Sequence, residues 1–111
     1  MTRKLQWISL IALVLAGCAQ TRPASSSTSG EVEVRIDNFT FSPATVTISP
    51  GTKVTWINHD DVPHTATSTT KVFGSAALDT DEKFSFVFTK TGTFPYYCAV
   101  HPHMSGQIIV K

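Results

Sequence analysis

An all-β sandwich or barrel is the fold class predicted for residues 31–111, and three observations predict it. Short runs alternate apolar and polar residues with a period of two, turn signals rich in Gly and Pro separate them every eight to twelve residues, and no stretch carries a convincing helical period. The 81 residues of that segment are enough for one modest core.

The alternation begins at Glu31, where Val32, Val34 and Ile36 interleave with Glu33, Arg35 and Asp37, a strand with one buried face. Phe39 and Phe41 continue the alternation around Thr40 until Ser42-Pro43 interrupts it. Val46 and Ile48 form the next strand, and Pro50-Gly51 turns the chain. A third long strand runs from Lys53 to about Asn58, with Val54 and Trp56 on one face. His59 to Pro63 reads as a loop and His64 to Thr67 as a short strand leaving it. Residues 69–83 have no clear period and are expected to be loop. Phe84, Phe86 and Phe88 restore the alternation, Lys90-Thr91-Gly92 turns, and Phe94, Tyr96 and Cys98 share one face of the following strand. Gly106 to Lys111 closes the domain. Pro95 then points outward and removes a ladder hydrogen bond, which predicts an edge or bulge there.

The first thirty residues differ in kind. Thr2-Arg3-Lys4 is a basic start, Leu5 to Ala16 an apolar run, and Leu15-Ala16-Gly17-Cys18 closes it. That is the three-part form of a secretory signal, and the apolar run is too short to span a bilayer, which takes about 20 residues. The closing tetrapeptide resembles the lipobox of bacterial lipoproteins. The resemblance implies a signal peptide of residues 1–17, cleavage before Cys18 and acylation of Cys18. Residues 18–30, low in complexity and rich in Ser and Thr, are expected to be a flexible tether with a root-mean-square reach of about 20 Å. Multiple acyl chains hold a protein on a membrane where one binds only marginally. An exported, envelope-located, lipid-anchored chain is therefore expected.

With Cys18 given to lipid, no disulfide is expected, although two cysteines in an exported chain would ordinarily suggest one. Once Arg3 and Lys4 are removed, seven basic residues stand against eight acidic ones, and no basic run remains. Nucleic acid is excluded as a partner.

Function concentrates in Tyr96 to Met104. Cys98, His101 and Met104 stand three residues apart, so one tight turn aims a thiolate, an imidazole and a thioether at one point. Thiolate and thioether favour Cu(I) and imidazole accepts either state, so the set suits copper that changes oxidation state. One further imidazole completes a trigonal site, and His64 is the candidate, with His59 its rival. His103 is expected to be a solvent-exposed side chain, Asp60 and Asp61 a solvated loop face, and Tyr97 an outward residue beside Cys98.

Trp56-Ile57-Asn58, Val62-Pro63-His64 and Gly92-Thr93-Phe94, followed by Cys98-x-x-His101-x-x-Met104-x-Gly106, make residues 31–111 similar to the cupredoxins. Within them the chain resembles the amicyanin branch, which has two residues between the His and the Met of the ligand loop. The resemblance implies one type 1 copper held by His64, Cys98 and His101 with Met104 as the long axial ligand. It also implies that Asn58 pins the ligand loop by hydrogen bonds rather than binding metal. Two positions depart from the pattern. Val100 stands where the family normally has Pro and restores an N–H donor near the Cys98 sulfur; His103 stands where Phe is frequent and makes the rim more polar.

Four protein ligands leave no position for a substrate, so an enzyme is not expected and one-electron transfer is. The expected partners are transient redox proteins, such as a dehydrogenase, a cytochrome c or a terminal reductase, met by a monomer through the edge of His101. Copper delivery or storage is the alternative. It fits less well, because delivery surfaces use Met or His arrays and this chain has two Met, one of them in the signal.

Overall fold

The structure is a computed structural model that describes residues 30–111. The signal peptide of residues 1–17, Cys18 and nearly all of the tether lie outside the described residues.

Among the described residues eight strands follow one another: β1 (Glu31–Asp37), β2 (Thr40–Ser42), β3 (Thr45–Ile48), β4 (Thr52–Asn58), β5 (Thr67–Ser68), β6 (Lys83–Phe88), β7 (Gly92–Tyr97) and β8 (Ser105–Val110). They form two four-stranded sheets, ordered β2-β1-β4-β6 and β3-β8-β7-β5. The all-β sandwich expected from the alternation is what forms. Each sheet contains one parallel pair. β1 runs beside β4 with Val34 opposite Trp56, and β3 runs beside β8 with Val46 opposite Ile108.

Period-two patterning sends one face of every strand inward. Val34, Ile36, Val54, Trp56, Phe88, Tyr96 and Ile108 are all buried between the sheets. Trp56 is the hub of an aromatic cluster, stacked on Phe73 at 5.2 Å between ring centroids and meeting Tyr96 edge-on at 5.3 Å. Such contacts add about 0.5–1.5 kcal/mol per pair to the area that the rings bury. Phe73 comes from the patternless segment after β5. A single apolar residue in a loop has no period, so nothing in the alternation points to it.

Three local features differ from the sequence reading. Phe39 does not continue a strand. Asn38 and Phe39 take φ of 53° and 60°, and Asp37 faces Thr40 across a two-residue hairpin turn, so Phe41 is buried while Phe39 is 48% exposed. The strand expected over His64 to Thr67 is reduced to β5, and His64 instead makes an isolated bridge with Leu78. Pro95 lies on an internal strand rather than an edge strand, but at the last pair of the short ladder with β5: its carbonyl accepts the Thr69 N–H at 3.1 Å, just beyond the paired Tyr96 and Tyr97. The ring removes the reciprocal donor of that terminal pair, so the one ladder bond it costs falls where the pairing ends.

β1, β4 and β7 all run toward one pole of the sandwich. The turn after β1, the loop after β4 and the loop between β7 and β8 meet there, and they carry the residues of the site.

Candidate metal centre

Cys98 follows directly on β7, in phase with the partly buried Phe94 and the buried Tyr96, and is wholly buried. The loop after it is closed by two backbone hydrogen bonds, from Cys98 N–H to the Met104 carbonyl (3.1 Å) and from Met104 N–H to the His101 carbonyl (2.9 Å). Met104 is buried at the foot of this loop, His101 is half-buried and His103 exposed. His64 is fixed by reciprocal backbone hydrogen bonds with Leu78, of 3.1 and 2.7 Å, and its side chain is completely buried.

These constraints bring three donor atoms together. Cys98 Sγ lies 3.7 Å from His64 Nδ1 and 3.8 Å from His101 Nδ1, and the two Nδ1 atoms are 3.2 Å apart. A triangle of those sides has a centre about 2.1 Å from each corner, inside the ~2.0–2.3 Å range over which imidazole and thiolate bind a first-row ion such as zinc. Among the described residues this is the one cluster of His, Cys and carboxylate donors that meets at a point, and it contains His64, not His59. One thiolate and two imidazoles in a plane, with Met104 buried on the same loop, fit a single type 1 copper ion.

Hydrogen bonds around the donors hold them there. Asn58, buried at the end of β4, donates from Nδ2 to the carbonyls of Val62 (2.9 Å) and Leu78 (2.8 Å) and accepts from Asp60 N–H (2.9 Å). Two of these bonds hold the segment that leads into His64, and the third holds Leu78, the residue bridged to His64. Thr65 ties that segment to the other loop: its N–H donates to Cys98 Sγ at 3.3 Å, and its hydroxyl accepts from Ala99 N–H at 2.8 Å. The donor to the sulfur is therefore Thr65. Val100, restored N–H notwithstanding, sits 48% exposed on the rim.

Two residues of the site escaped the sequence reading. Asp61 is exposed as expected, but Asp60 is not a solvated face. Its side chain is 11% exposed and accepts from Asn38 N–H (2.6 Å), Phe39 N–H (2.9 Å) and His64 Nε2 (2.8 Å). Burial pulls its carboxyl upward, but the N–H groups of Phe39 and Asn38 and the His64 ring outweigh that, holding it below the usual carboxylate range. Phe39 meets both imidazoles edge-on, 5.3 Å from His64 at 88° and 5.0 Å from His101 at 86°. No periodicity or motif marks either contact. The adjacency of Asn38 to a hydrophobic residue after a strand was the only cue to the turn.

A sandwich of this topology with a thiolate and two imidazoles converging at one pole defines a cupredoxin. Residues 8–110 match the family described as cupredoxin-like domain, and the chain belongs to that family as a blue copper electron-transfer protein rather than an enzyme. Its similarity extends to the amicyanins. Amicyanin from Paracoccus denitrificans is 31% identical over 93 residues, covering 79% of this chain and 71% of the relative. Amicyanin-alpha from Methylorubrum extorquens is 29% identical over 108 residues, 93% of this chain and 89% of the relative. Among solved structures, a novel purple cupredoxin from Nitrosopumilus maritimus matches with a TM-score of 0.69 and 33% identity, over 72% of this chain and 99% of that one.

Proposed function

We propose that the protein is a membrane-tethered carrier of single electrons in the bacterial cell envelope, with His64, Cys98 and His101 as the strong copper ligands and Met104 as the weak axial one. Copper bound there supplies a one-electron couple. The observation that carries the reading is the convergence of the three donor atoms at 3.2–3.8 Å from two separately anchored loops.

The residues divide the work. Asn58 and Thr65 fix the two ligand-bearing segments to each other and to β4, which limits rearrangement between oxidation states. Burial of His64 and Cys98 keeps water from the thiolate. His101 alone among the three is partly exposed, and with Val100 and Pro102 beside it on the surface it offers the route to a redox partner. A dehydrogenase, a cytochrome c or a terminal reductase would meet this patch transiently, at the small end of interface areas. Cleavage before Cys18 and its acylation would hold the monomeric domain near a membrane through residues 18–30.

The test is the visible spectrum of the purified protein with Cu(II), beside a Cys98→Ser variant. An intense thiolate-to-copper band, bleached reversibly by mild reductant and missing from the variant, is expected. A folded wild type without that band refutes the ligand assignment. The anchor is tested separately: Cys18→Ser should move the protein from the membrane fraction to the soluble one.

A further inference from the structure

The turn between β1 and β2 is strained. Two consecutive residues in the left-handed region are normal for Asn and Gly, but an aromatic L-residue there costs about 1–2 kcal/mol, and such a conformation persists only where surrounding contacts impose it. At Phe39, with φ of 60°, what imposes it is Asp60. One carboxylate oxygen takes the Asn38 N–H and the other takes the Phe39 N–H, and the second oxygen also meets His64 Nε2 at 2.8 Å.

This arrangement does two things at once. A neutral imidazole carries its proton on one nitrogen, and a carboxylate only accepts, so the proton of His64 is drawn to Nε2 and Nδ1 is left with its lone pair toward Cys98 and His101. The same carboxylate stations Phe39 edge-on against both imidazoles, 5.3 and 5.0 Å away. We propose that Asp60 is a positioning residue of the metal centre, setting the tautomer and donor strength of His64 while holding the left-handed turn that seats Phe39 on the two ring edges. The inference rests on the reading of His64 as a metal ligand, and it assigns to one side chain the coupling between an exposed aromatic and a buried ligand.

A carboxylate behind a ligating imidazole makes it a stronger donor and favours the more highly charged oxidation state. Asp60→Asn has nearly the same shape but lacks the charge. Its amide also donates, and a donor facing Nε2 selects the tautomer with the proton on Nδ1, where the metal should bind. Asp60→Glu keeps the charge.

The experiment uses the full chain in three variants, after the wild type has shown its blue band; failure at that first step refutes the ligand assignment and leaves nothing for Asp60 to position. In the metal-free proteins, amide exchange of Asn38 and Phe39 is followed by NMR, and at least tenfold faster exchange is expected in Asp60→Ala. In the copper-loaded proteins, Asp60→Asn is expected to raise the reduction potential by an amount equivalent to a tenfold change in the Cu(I) to Cu(II) ratio, about 59 mV for one electron. Asp60→Glu should recover most of it. A purely structural carboxylate would change stability and leave the potential where it was. An unmoved potential in a blue, folded Asp60→Asn protein overturns the proposal, and so does unchanged exchange at Asn38 and Phe39 in Asp60→Ala. Should Asp60→Ala not fold, Asp60→Asn carries both measurements.

Discussion

Thr65 N–H points at the Cys98 sulfur from 3.3 Å across the two loops of the metal centre, and the Thr65 hydroxyl accepts the Ala99 N–H from 2.8 Å in the return direction. One residue thus ties the His64 segment to the Cys98 segment twice, once at the ligand atom itself. A hydrogen bond donated to a thiolate withdraws charge from it and draws the sulfur toward a fixed position. The site is held by this stitch as well as by the strands beneath it.

Replacing Thr65 by Val removes the hydroxyl at nearly constant volume and keeps the N–H that reaches sulfur. Ala99 N–H and the Thr67 hydroxyl then lose their partner. A loss of about 1 kcal/mol is expected in the metal-free protein, measured by urea denaturation with an unchanged slope. Metal affinity should fall about tenfold, as it does when a group orienting ligands is removed. An affinity equal to wild type would show that the strands alone align the loops.

Asn58 is a harsher case, because it has no exposed surface and makes three hydrogen bonds. Asn58→Ala strands the Val62 carbonyl and the Asp60 N–H and takes one of two donors from the Leu78 carbonyl, which keeps the His64 N–H, and about 3 kcal/mol of destabilisation is expected. Asn58→Asp keeps the shape but turns a lone-pair oxygen toward the carbonyls of Val62 and Leu78. It should be no more stable than Asn58→Ala at neutral pH. If thermal denaturation instead shows Asp tolerated, the contacts to the two carbonyls do not govern the loop.

Much of this molecule was legible in its sequence, and the boundary has a physical cause. Strands with one buried face announce themselves by alternation, so β1, β4, β6 and β7 with their core faces could be read directly. Ligands three residues apart in one loop are equally visible. Side chains that act from irregular backbone are not. Phe73 enters the core from a segment without a period, and Asp60 reaches back 21 and 22 residues to the N–H groups of Phe39 and Asn38. Phe39 departs from its expected place because apolar-polar alternation continues through the hairpin turn, where left-handed backbone breaks the relation between sequence parity and facing.

Gly106 is required by proximity rather than by backbone angle. It lies directly opposite Tyr96 on β7, and a Cβ there would stand 2.5 Å from the Tyr96 hydroxyl oxygen and 2.9 Å from the Ala44 carbonyl oxygen. The carbonyl belongs to backbone and yields little. Gly106→Ala should therefore cost about 2–3 kcal/mol by overpacking, read as a lower urea midpoint. A loss below ~0.5 kcal/mol would mean that β7 and β8 separate easily at this point.

Tyr96 itself sets a limit on stability in alkali. Burial pushes its hydroxyl up to about 12, with the Trp56 indole pulling partly the other way although the pair falls short of hydrogen-bond geometry. In the unfolded chain a tyrosine ionises near 10. Below that pH both states hold the proton and the contribution to stability is complete. Between about 10 and about 12 the unfolded chain releases a proton that the native state keeps, so stability falls with a slope approaching 1.4 kcal/mol per pH unit, about 2–3 kcal/mol in all. Urea midpoints at pH 9 and pH 11, for wild type and Tyr96→Phe, isolate this residue from every other group that titrates in the range. The wild type should lose more than the variant over that interval. At pH 7 Tyr96→Phe should match or exceed wild type by up to ~1 kcal/mol, because it removes a buried hydroxyl without a hydrogen bond. Parallel alkaline losses in the two proteins would mean that the native state opens enough for Tyr96 to ionise as it does in the unfolded chain.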